Sequence, residues 1–155
     1  MKKYFIYAAI AVLALAVLAG YIIESKPLWS SLGVSSCGNV RSIRLDGKEI
    51  CVEVADNDAT RQLGLGGHAP LTADQGMLFV FQEDTASKFW MKDMTFPLDI
   101  IWLADDGTIT YIAQDLSPDT YPKAFGPDTP TRYVLEVNAG YAQQNDVKVG
   151  DKVQL

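Results

Sequence analysis

The sequence is poor in histidine, cysteine and clustered basic residues. It contains one histidine, His68, and two cysteines, Cys37 and Cys51. A structural zinc centre needs about four His, Cys or carboxylate ligands, so no metal centre and no cofactor are expected. Lys and Arg number 13 against 19 Asp and Glu, for a formal net charge of −6, and they form no basic stripe. We therefore expect no binding of nucleic acid through its phosphates.

The sequence also shows no nucleophile beside a general base, which covalent catalysis requires. His68 lies in a glycine-rich turn at residues 66–70, where exposure is expected. A catalytic base must instead be held in a fixed orientation. A non-catalytic role is therefore favoured over an enzyme, and the question stays open at this stage.

Long apolar runs are missing from most of the chain but not from its start. Lys2 and Lys3 precede an uncharged, apolar stretch at residues 4–23. A helix of about 20 residues, rising about 1.5 Å per residue, crosses a hydrocarbon core of about 30 Å. Its positive end stays in the cytoplasm. Residues 1–24 are predicted to be a membrane anchor or a signal peptide cleaved near Ala19. A buried core helix is disfavoured, because no face of the segment is polar.

Residues 25–40 are rich in serine and glycine and are predicted to be a tether between this segment and a domain outside the cytoplasm. In that compartment two cysteines pair by default, so we expect a disulfide between Cys37 and Cys51. Closing a loop of this size stabilises a fold by about 3 kcal/mol in the chain-entropy model. A redox or metal-binding pair is the less favoured alternative, because the spacing matches no redox motif.

Residues 41–155 are predicted to form one β-rich domain. Alternating apolar and polar residues flank Asp46-Gly47, which is a strong hairpin signal. Residues 56–58 offer N-caps for a short helix, and Asn138 is predicted to cap a second one. Further strands are predicted at residues 76–81, 89–91, 98–103, 108–113, 131–137 and 147–153. The turn spacing predicts a mainly β fold: a small antiparallel sandwich or barrel-like domain with one or two short helices, preceded by the N-terminal apolar helix.

Four runs in this domain carry a resemblance to a known family. They lie at residues 76–81 (GMLFVF), 89–94 (FWMKDM), 97–101 (PLDII) and 133–140 (YVLEVNAG). Together they resemble the family catalogued as domain of unknown function 192. That resemblance implies a β-rich sandwich, often behind a signal sequence, with no established activity. The chain departs from the family pattern at Gly66, where the family usually has Met after Gly-Leu. A pocket lined by that Met would be wider or differently closed here.

The segment at residues 89–99 combines bulky apolar residues with charged ones and is the most informative candidate site. Lysine and carboxylates beside Trp90 would be partly desolvated, which shifts pKa values. The weak catalytic candidates are Lys92, Asp99 and Glu136. The predicted ligand-binding residues are Arg61, Trp90, Lys92, Asp99, Glu136 and Asn138. The alternative is a buried polar network that only satisfies hydrogen bonds, and it is favoured over catalysis.

Two further hypotheses concern methionine and a loop. Met91 and Met94 are weak candidates for a Cu(I) site, because thioethers favour that ion, although core packing is the more common use of Met. The proline-rich loop at residues 115–130 is predicted to be a mobile rim of a site.

The leading functional hypothesis is a binding or accessory module that recognises a small ligand or an envelope protein. A hydrolytic enzyme and a copper-binding protein are the alternatives.

Overall fold

The computed structural model describes residues 37–38 and 40–155. The predicted anchor at residues 1–24 and most of the tether lie outside them. None of the helices in the described part of the chain has the length and apolar character that crossing a membrane requires. The strands are β1 (Arg41–Leu45), β2 (Lys48–Ala55), β3 (Gln75–Thr85), β4 (Phe89–Trp90), β5 (Leu98–Leu103), β6 (Ile109–Leu116), β7 (Ala124–Phe125), β8 (Thr131–Asn138) and β9 (Val153–Gln154). The helices are α1 (Asp58–Leu63), a 3-10 helix (Pro118–Thr120) and α2 (Tyr141–Gln144).

The protein is mainly β, as the sequence predicts. Seven strands form one curled sheet, a half-barrel, in the order β6-β5-β8-β3-β2-β1-β9. Strands β4 and β7 pair separately in a two-stranded sheet. The hairpin of β1 and β2 is confirmed: Leu45 pairs with Lys48 across Asp46 and Gly47. Both turn residues have positive φ, at 50° and 74°, which suits the tight turn between twisted strands.

The prediction of a wholly antiparallel sheet is wrong at one position. Strands β2 and β3 are parallel neighbours, with Val52 opposite Gly76 and Ala55 opposite Phe79. Parallel neighbours cannot be joined by a tight turn and need a crossover connection. Residues 56–74 form that crossover and carry α1, whose N-cap Asn57 accepts a hydrogen bond from the Thr60 amide. The helix predicted from residues 56–58 therefore exists, and its role is to join two parallel strands.

Apolar residues cover both faces of the sheet. One cluster includes Ile43, Leu78 and Val137 and packs around Ala142 of α2, and we call this side the α2 face. The second includes Phe79 and Trp102 of the sheet with Leu65 after α1 and Met91 after β4, and we call this side the α1 face. All six residues of β5 are buried. Residues alternate between faces along each strand, so the position of a residue in β5 or β8 decides which face its side chain meets.

The predicted disulfide is present. Cys37 and Cys51 are bonded, with their Cα atoms 5.1 Å apart. Cys51 lies in β2 between the buried residues Ile50 and Val52, so its side chain leaves the opposite side of the strand. The cross-link therefore connects the segment before β1 to β2, and Cys37 itself is buried.

Candidate functional site

A cavity of about 880 Å³ opens on the α1 face of the sheet. Its walls are α1 with the glycine-rich segment that follows it, part of β3, and residues 87–94 around β4. Small-molecule sites in proteins commonly have volumes of about 300–1,000 Å³. The crossover between the parallel strands β2 and β3 is what places α1 above the sheet and leaves this space beneath it.

The walls of the cavity are largely apolar and aromatic. Phe79 and Phe89 meet edge to face, with ring centroids 4.8 Å apart, and Phe89 contacts Trp102 in the same manner at 5.8 Å. These contacts fix the ring positions in the wall, since edge-to-face pairs favour one relative orientation. Apolar lining is contributed by Leu65, Phe79, Phe81, Phe89, Trp90 and Met94.

Glu136 is the buried polar residue of the lining. It lies in β8, opposite Met77 of β3 and Ile100 of β5, and only 5% of it is exposed. Its Oε2 atom has no hydrogen-bond partner among the described residues. Burial raises the pKa of this carboxyl from 4.5 to about 8, because desolvation disfavours the charged form. The carboxyl is therefore neutral at pH 7 and unsatisfied inside an apolar cavity.

Arg61 is held at the edge of the cavity by its own contacts. Its Nη1 donates to the Val80 carbonyl at 2.7 Å and its Nη2 to Asp58 Oδ1 at 2.6 Å. The guanidinium carbon lies 5.5 Å from the ring centroid of Phe81, a distance typical of cation–π contacts. This side chain is thus already engaged on three sides.

Two lysines also border the cavity. Lys88 donates to the Gly126 carbonyl at 2.7 Å and to Asp128 at 2.9 Å, and its ammonium is therefore committed to the loop before β8. Lys92 is exposed and lies two residues after the end of β4. The exposed aromatic pair of Trp90 and Tyr121, with centroids 6.0 Å apart, connects this region to the loop at residues 115–130.

Asp99 lies on the other side of the sheet from Glu136. It pairs with Val137, whereas Glu136 pairs with Ile100, and neighbouring residues in a strand point to opposite faces. The Asp99 carboxylate is fully buried and accepts hydrogen bonds from the backbone amides of Asp115, Gly140 and Ala142 at 2.9, 3.2 and 2.8 Å. The carboxylate therefore holds the backbone at the start of α2 and at the end of β6 against β5, and it does not line the cavity.

Asn138 is likewise outside the cavity. Its Nδ2 donates to the carbonyls of Leu71 and Thr72 at 3.1 and 2.9 Å. The predicted N-cap role is wrong, because α2 begins after Gly140, which has a left-handed conformation and makes no side-chain cap. Of the six predicted ligand-binding residues, Arg61, Trp90, Lys92 and Glu136 line one cavity, and Asp99 and Asn138 are structural neighbours of other segments. Their part in binding stays a prediction.

The three weak catalytic candidates are not assembled in one place. Lys92 and Glu136 border the cavity, and Asp99 is on the α2 face.

The two methionines proposed for Cu(I) also lie in different places: Met91 is 1% exposed in the apolar cluster, and Met94 lines the cavity. His68 is not part of the lining, and its Nε2 atom lies 3.8 Å from Oε2 of Glu53. Among the described residues no group of three or more His, Cys, Asp or Glu side chains could hold a metal ion.

Sequence reasoning missed most of the cavity wall. Residues 76–81 are predicted only as a strand, whereas Phe79 and Phe81 of this strand line the cavity. The available signal was the period of two along β3, which puts both on the face opposite Leu78. The glycine-rich segment at residues 64–67 also forms part of the lining.

Comparison with known proteins assigns the domain to a family. The profile of the family described as uncharacterized ACR, domain of unknown function 192, matches residues 41–155. The chain belongs to this family. The resemblance drawn from the four sequence runs is thereby confirmed, and the matched range covers the whole curled sheet. No curated protein matches the chain.

Two solved structures are similar to this domain of unknown function 192. A proposed transcription regulator from Sinorhizobium meliloti is 34% identical, with a TM-score of 0.69 over 73% of this chain and 91% of that one. A protein of unknown function from Novosphingobium aromaticivorans is 29% identical, with a TM-score of 0.71 over 75% of this chain and 85% of that one. These similarities support the fold and name no ligand.

Gly66, the departure from the family pattern, lies in the cavity lining. A Cβ atom here would be 3.2 Å from the Leu63 carbonyl oxygen and 3.4 Å from that of Lys92. The glycine therefore lets the segment after α1 approach the segment after β4 closely. In this member of the domain of unknown function 192 family, no side chain at position 66 occupies the space between them.

Proposed function

We propose that this domain is a non-catalytic binding module that holds a small ligand in the cavity under α1. The observation that carries the proposal is the Glu136 carboxyl, which is buried, lacks a hydrogen-bond partner and lines an 880 Å³ cavity. Leaving a buried polar group unpaired costs about 1–3 kcal/mol. A ligand that supplies the missing partner offsets that cost, and aromatic walls shield the new hydrogen bond from water.

We place this module outside the cytoplasm, either anchored in a membrane or released from it. The basic residues Lys2 and Lys3, the apolar stretch at residues 4–23 and the disulfide between Cys37 and Cys51 support this location. Disulfides are rare where glutathione keeps thiols reduced. In this setting the ligand would be a small molecule of the cell envelope or its surroundings, with an envelope protein as the second kind of partner.

The location is tested on the intact chain in its host cells. A protease that cannot cross the cytoplasmic membrane should degrade the domain once the outermost layer of the envelope has been permeabilised. The two cysteines should resist alkylation until a reductant is added. A full-length chain recovered in the cytosolic fraction with both thiols alkylated would contradict the proposal.

Ligand binding is tested by purifying the full-length chain from its membrane under native conditions and measuring bound small molecules by mass spectrometry. Met94 lines the cavity, so a ¹³C-methyl signal from this residue should report on occupancy. Ala59→Trp should fill the opening and remove the bound molecule. Ala73→Trp is the matched control, because Ala73 is exposed and outside the lining. If the native chain is empty and a fragment library leaves the Met94 signal unchanged, the cavity is not a binding site.

A second function, hydrolysis, is favoured by one observation. A carboxyl with a pKa of about 8 inside a cavity is suited to donate a proton at neutral pH, and Lys92 borders the same space. Glu136→Gln should then remove turnover of a substrate while the fold persists. Binding of the same compound without turnover, in wild type and variant alike, would leave the binding module as the function.

A further inference from the structure

We infer that the cavity selects small organic amines, compounds with an apolar body and one ammonium group, which ion-pairs with Glu136. This inference rests on the proposed binding function and names its ligand class. It follows from which polar group in the cavity lacks a partner, which groups already have one, and what surrounds them.

The lining offers a buried acceptor and mostly engaged donors. Arg61 is bound to Asp58 and to the Val80 carbonyl, and Lys88 is bound to Asp128 and the Gly126 carbonyl. An anionic ligand would have to displace these partners of Arg61 and Lys88, or bind at the exposed Lys92, whereas a hydrogen-bond donor meets the unpartnered Oε2 atom of Glu136. The ammonium group supplies both hydrogen-bond donors and the opposite charge, and charge-assisted hydrogen bonds are about twice as strong as neutral ones.

The groups around Glu136 allow a buried ion pair to form. Its cross-strand neighbours, Met77 and Ile100, are uncharged. The charged groups that border the cavity are at its edge: Asp58 and Arg61 on α1, and Lys88, Lys92 and Asp93 around β4. The aromatic rings of the walls attract cations through their quadrupoles, and the attraction is stronger where the contact is shielded from water.

Binding of an amine is coupled to release of a proton. The neutral Glu136 carboxyl must lose its proton to become the partner of the ammonium, and that proton goes to solvent: carboxyl plus ammonium give the ion pair plus one proton. Below the pKa of about 8, binding should tighten about tenfold for each pH unit. Above it, the affinity should level off until the amine itself deprotonates.

The test compares three probes with the same aromatic body: 2-phenylethylammonium, 2-phenylethanol and 3-phenylpropionate. The full-length chain, in detergent micelles, is labelled with ¹³C-methyl methionine, and the Met94 signal is titrated. We expect the amine to bind at least about tenfold more tightly than the alcohol at pH 7.5, which corresponds to about 1.4 kcal/mol. Its affinity should fall about tenfold between pH 7 and pH 6, whereas the affinity of the alcohol should not.

Two variants sharpen the result. Glu136→Gln keeps the size of the side chain but cannot ionise, so the amine should bind no better than the alcohol. Asp84→Asn removes an exposed carboxylate outside the lining and should leave the preference unchanged. If Glu136→Gln does not fold, the pH dependence of the wild-type affinity still decides the question.

Each remaining outcome has a definite meaning. If the alcohol or the carboxylate shifts the Met94 signal at lower concentration than the amine does, the amine inference is overturned and the binding function stands. A preference for the amine that does not change with pH overturns the ion pair with Glu136. If none of the three probes nor the fragment library shifts the signal, the proposed function fails as well.

Discussion

At the scale of single residues, two buried carboxyls in adjacent strands have opposite environments. Asp99 accepts hydrogen bonds from three backbone amides, and Glu136 accepts no hydrogen bond at Oε2. The sequence identifies both as candidates, because acidic residues within apolar strands are conspicuous. It does not separate them, since the difference depends on which face of β5 and β8 each one occupies and on the segment packed there.

Glu136 should make the protein less stable as the pH rises. Its pKa is raised in the folded state to about 8 and is about 4.3 in an unfolded chain, so the folded state holds the proton over the interval between them. Stability is therefore lost from about pH 4.5 to pH 8, by about 1.4 kcal/mol per pH unit at the steepest. Urea unfolding of wild type and Glu136→Gln at pH 5, 6.5 and 8 measures the difference.

The difference in the free energy of unfolding between wild type and Glu136→Gln reports on this residue alone, because the contributions of all other titrating groups cancel. Asp84→Asn, an exposed change, should follow the wild-type pH dependence. If the free energies of unfolding of wild type and Glu136→Gln run parallel across this pH range, the raised pKa is wrong.

Asp99→Asn should cost stability and leave ligand binding unchanged. The amide keeps one acceptor oxygen and points an N–H₂ group toward backbone donors, so at least one amide loses its partner, at a cost of about 2–4 kcal/mol. Urea unfolding measures the cost, and the Met94 titration measures binding. Unchanged stability together with lost binding would place Asp99 in the site after all.

At the scale of elements, the hairpin, the short helix and most strands could be predicted because their signals are local. Alternation around residues 46–47 and the N-caps at residues 56–58 involve neighbours in sequence. The pairing of β2 with β3 is not local, and nothing in either strand alone states that it is parallel. The strand-helix-strand order of residues 48–85 was the available clue, since a helix between two strands commonly joins parallel neighbours.

The proline-rich loop at residues 115–130 is predicted to be a mobile rim, which stays a prediction, and the structure shows which contacts this loop makes. It contains a 3-10 helix and β7, which pairs with β4. Gly126 lies so close to the sheet that a Cβ atom would be 2.7 Å from the Ser87 carbonyl oxygen and 3.0 Å from the Trp102 ring. That oxygen already accepts the Trp102 indole N–H at 3.0 Å.

Gly126→Ala should therefore destabilise the protein by about 1–3 kcal/mol, because the added carbon forces a backbone or ring shift. The Trp102 indole N–H signal in NMR should move, and thermal unfolding should occur at lower temperature. Gly150→Ala is the matched control: its φ is also positive, at 101°, but nothing lies within 4 Å of the added carbon. Equal losses in the two variants would show that backbone strain, and not the close approach, sets the cost.

At the scale of the whole molecule, the absence of a basic stripe predicts no binding of nucleic acid, the two cysteines predict the disulfide, and the spacing of turns predicts the β-rich class. It could not predict the cavity, because a cavity is the space left between α1, β3 and β4, and those elements come together only through tertiary packing. The four sequence runs were enough to identify the family. They were not enough to identify a ligand, since they mark mainly strands and their turns.

The disulfide should contribute about 3 kcal/mol to the free energy of unfolding, because it closes a loop of 14 residues in the unfolded chain. Cys37→Ser with Cys51→Ser should lower the midpoint of guanidinium unfolding accordingly. A reductant should have the same effect on the wild type and none on the double variant. A double variant as stable as the oxidised wild type would show that the cross-link serves some purpose other than stability.

The helix over the cavity contributes no buried side chain of its own. Folding should therefore depend little on the identity of its exposed residues Ala59, Gln62 and Leu63, while the shape of the opening depends on them directly. Substitutions at these three positions can change which molecules enter with little effect on the sheet beneath, so one scaffold can acquire new specificities through the exposed residues of a single helix.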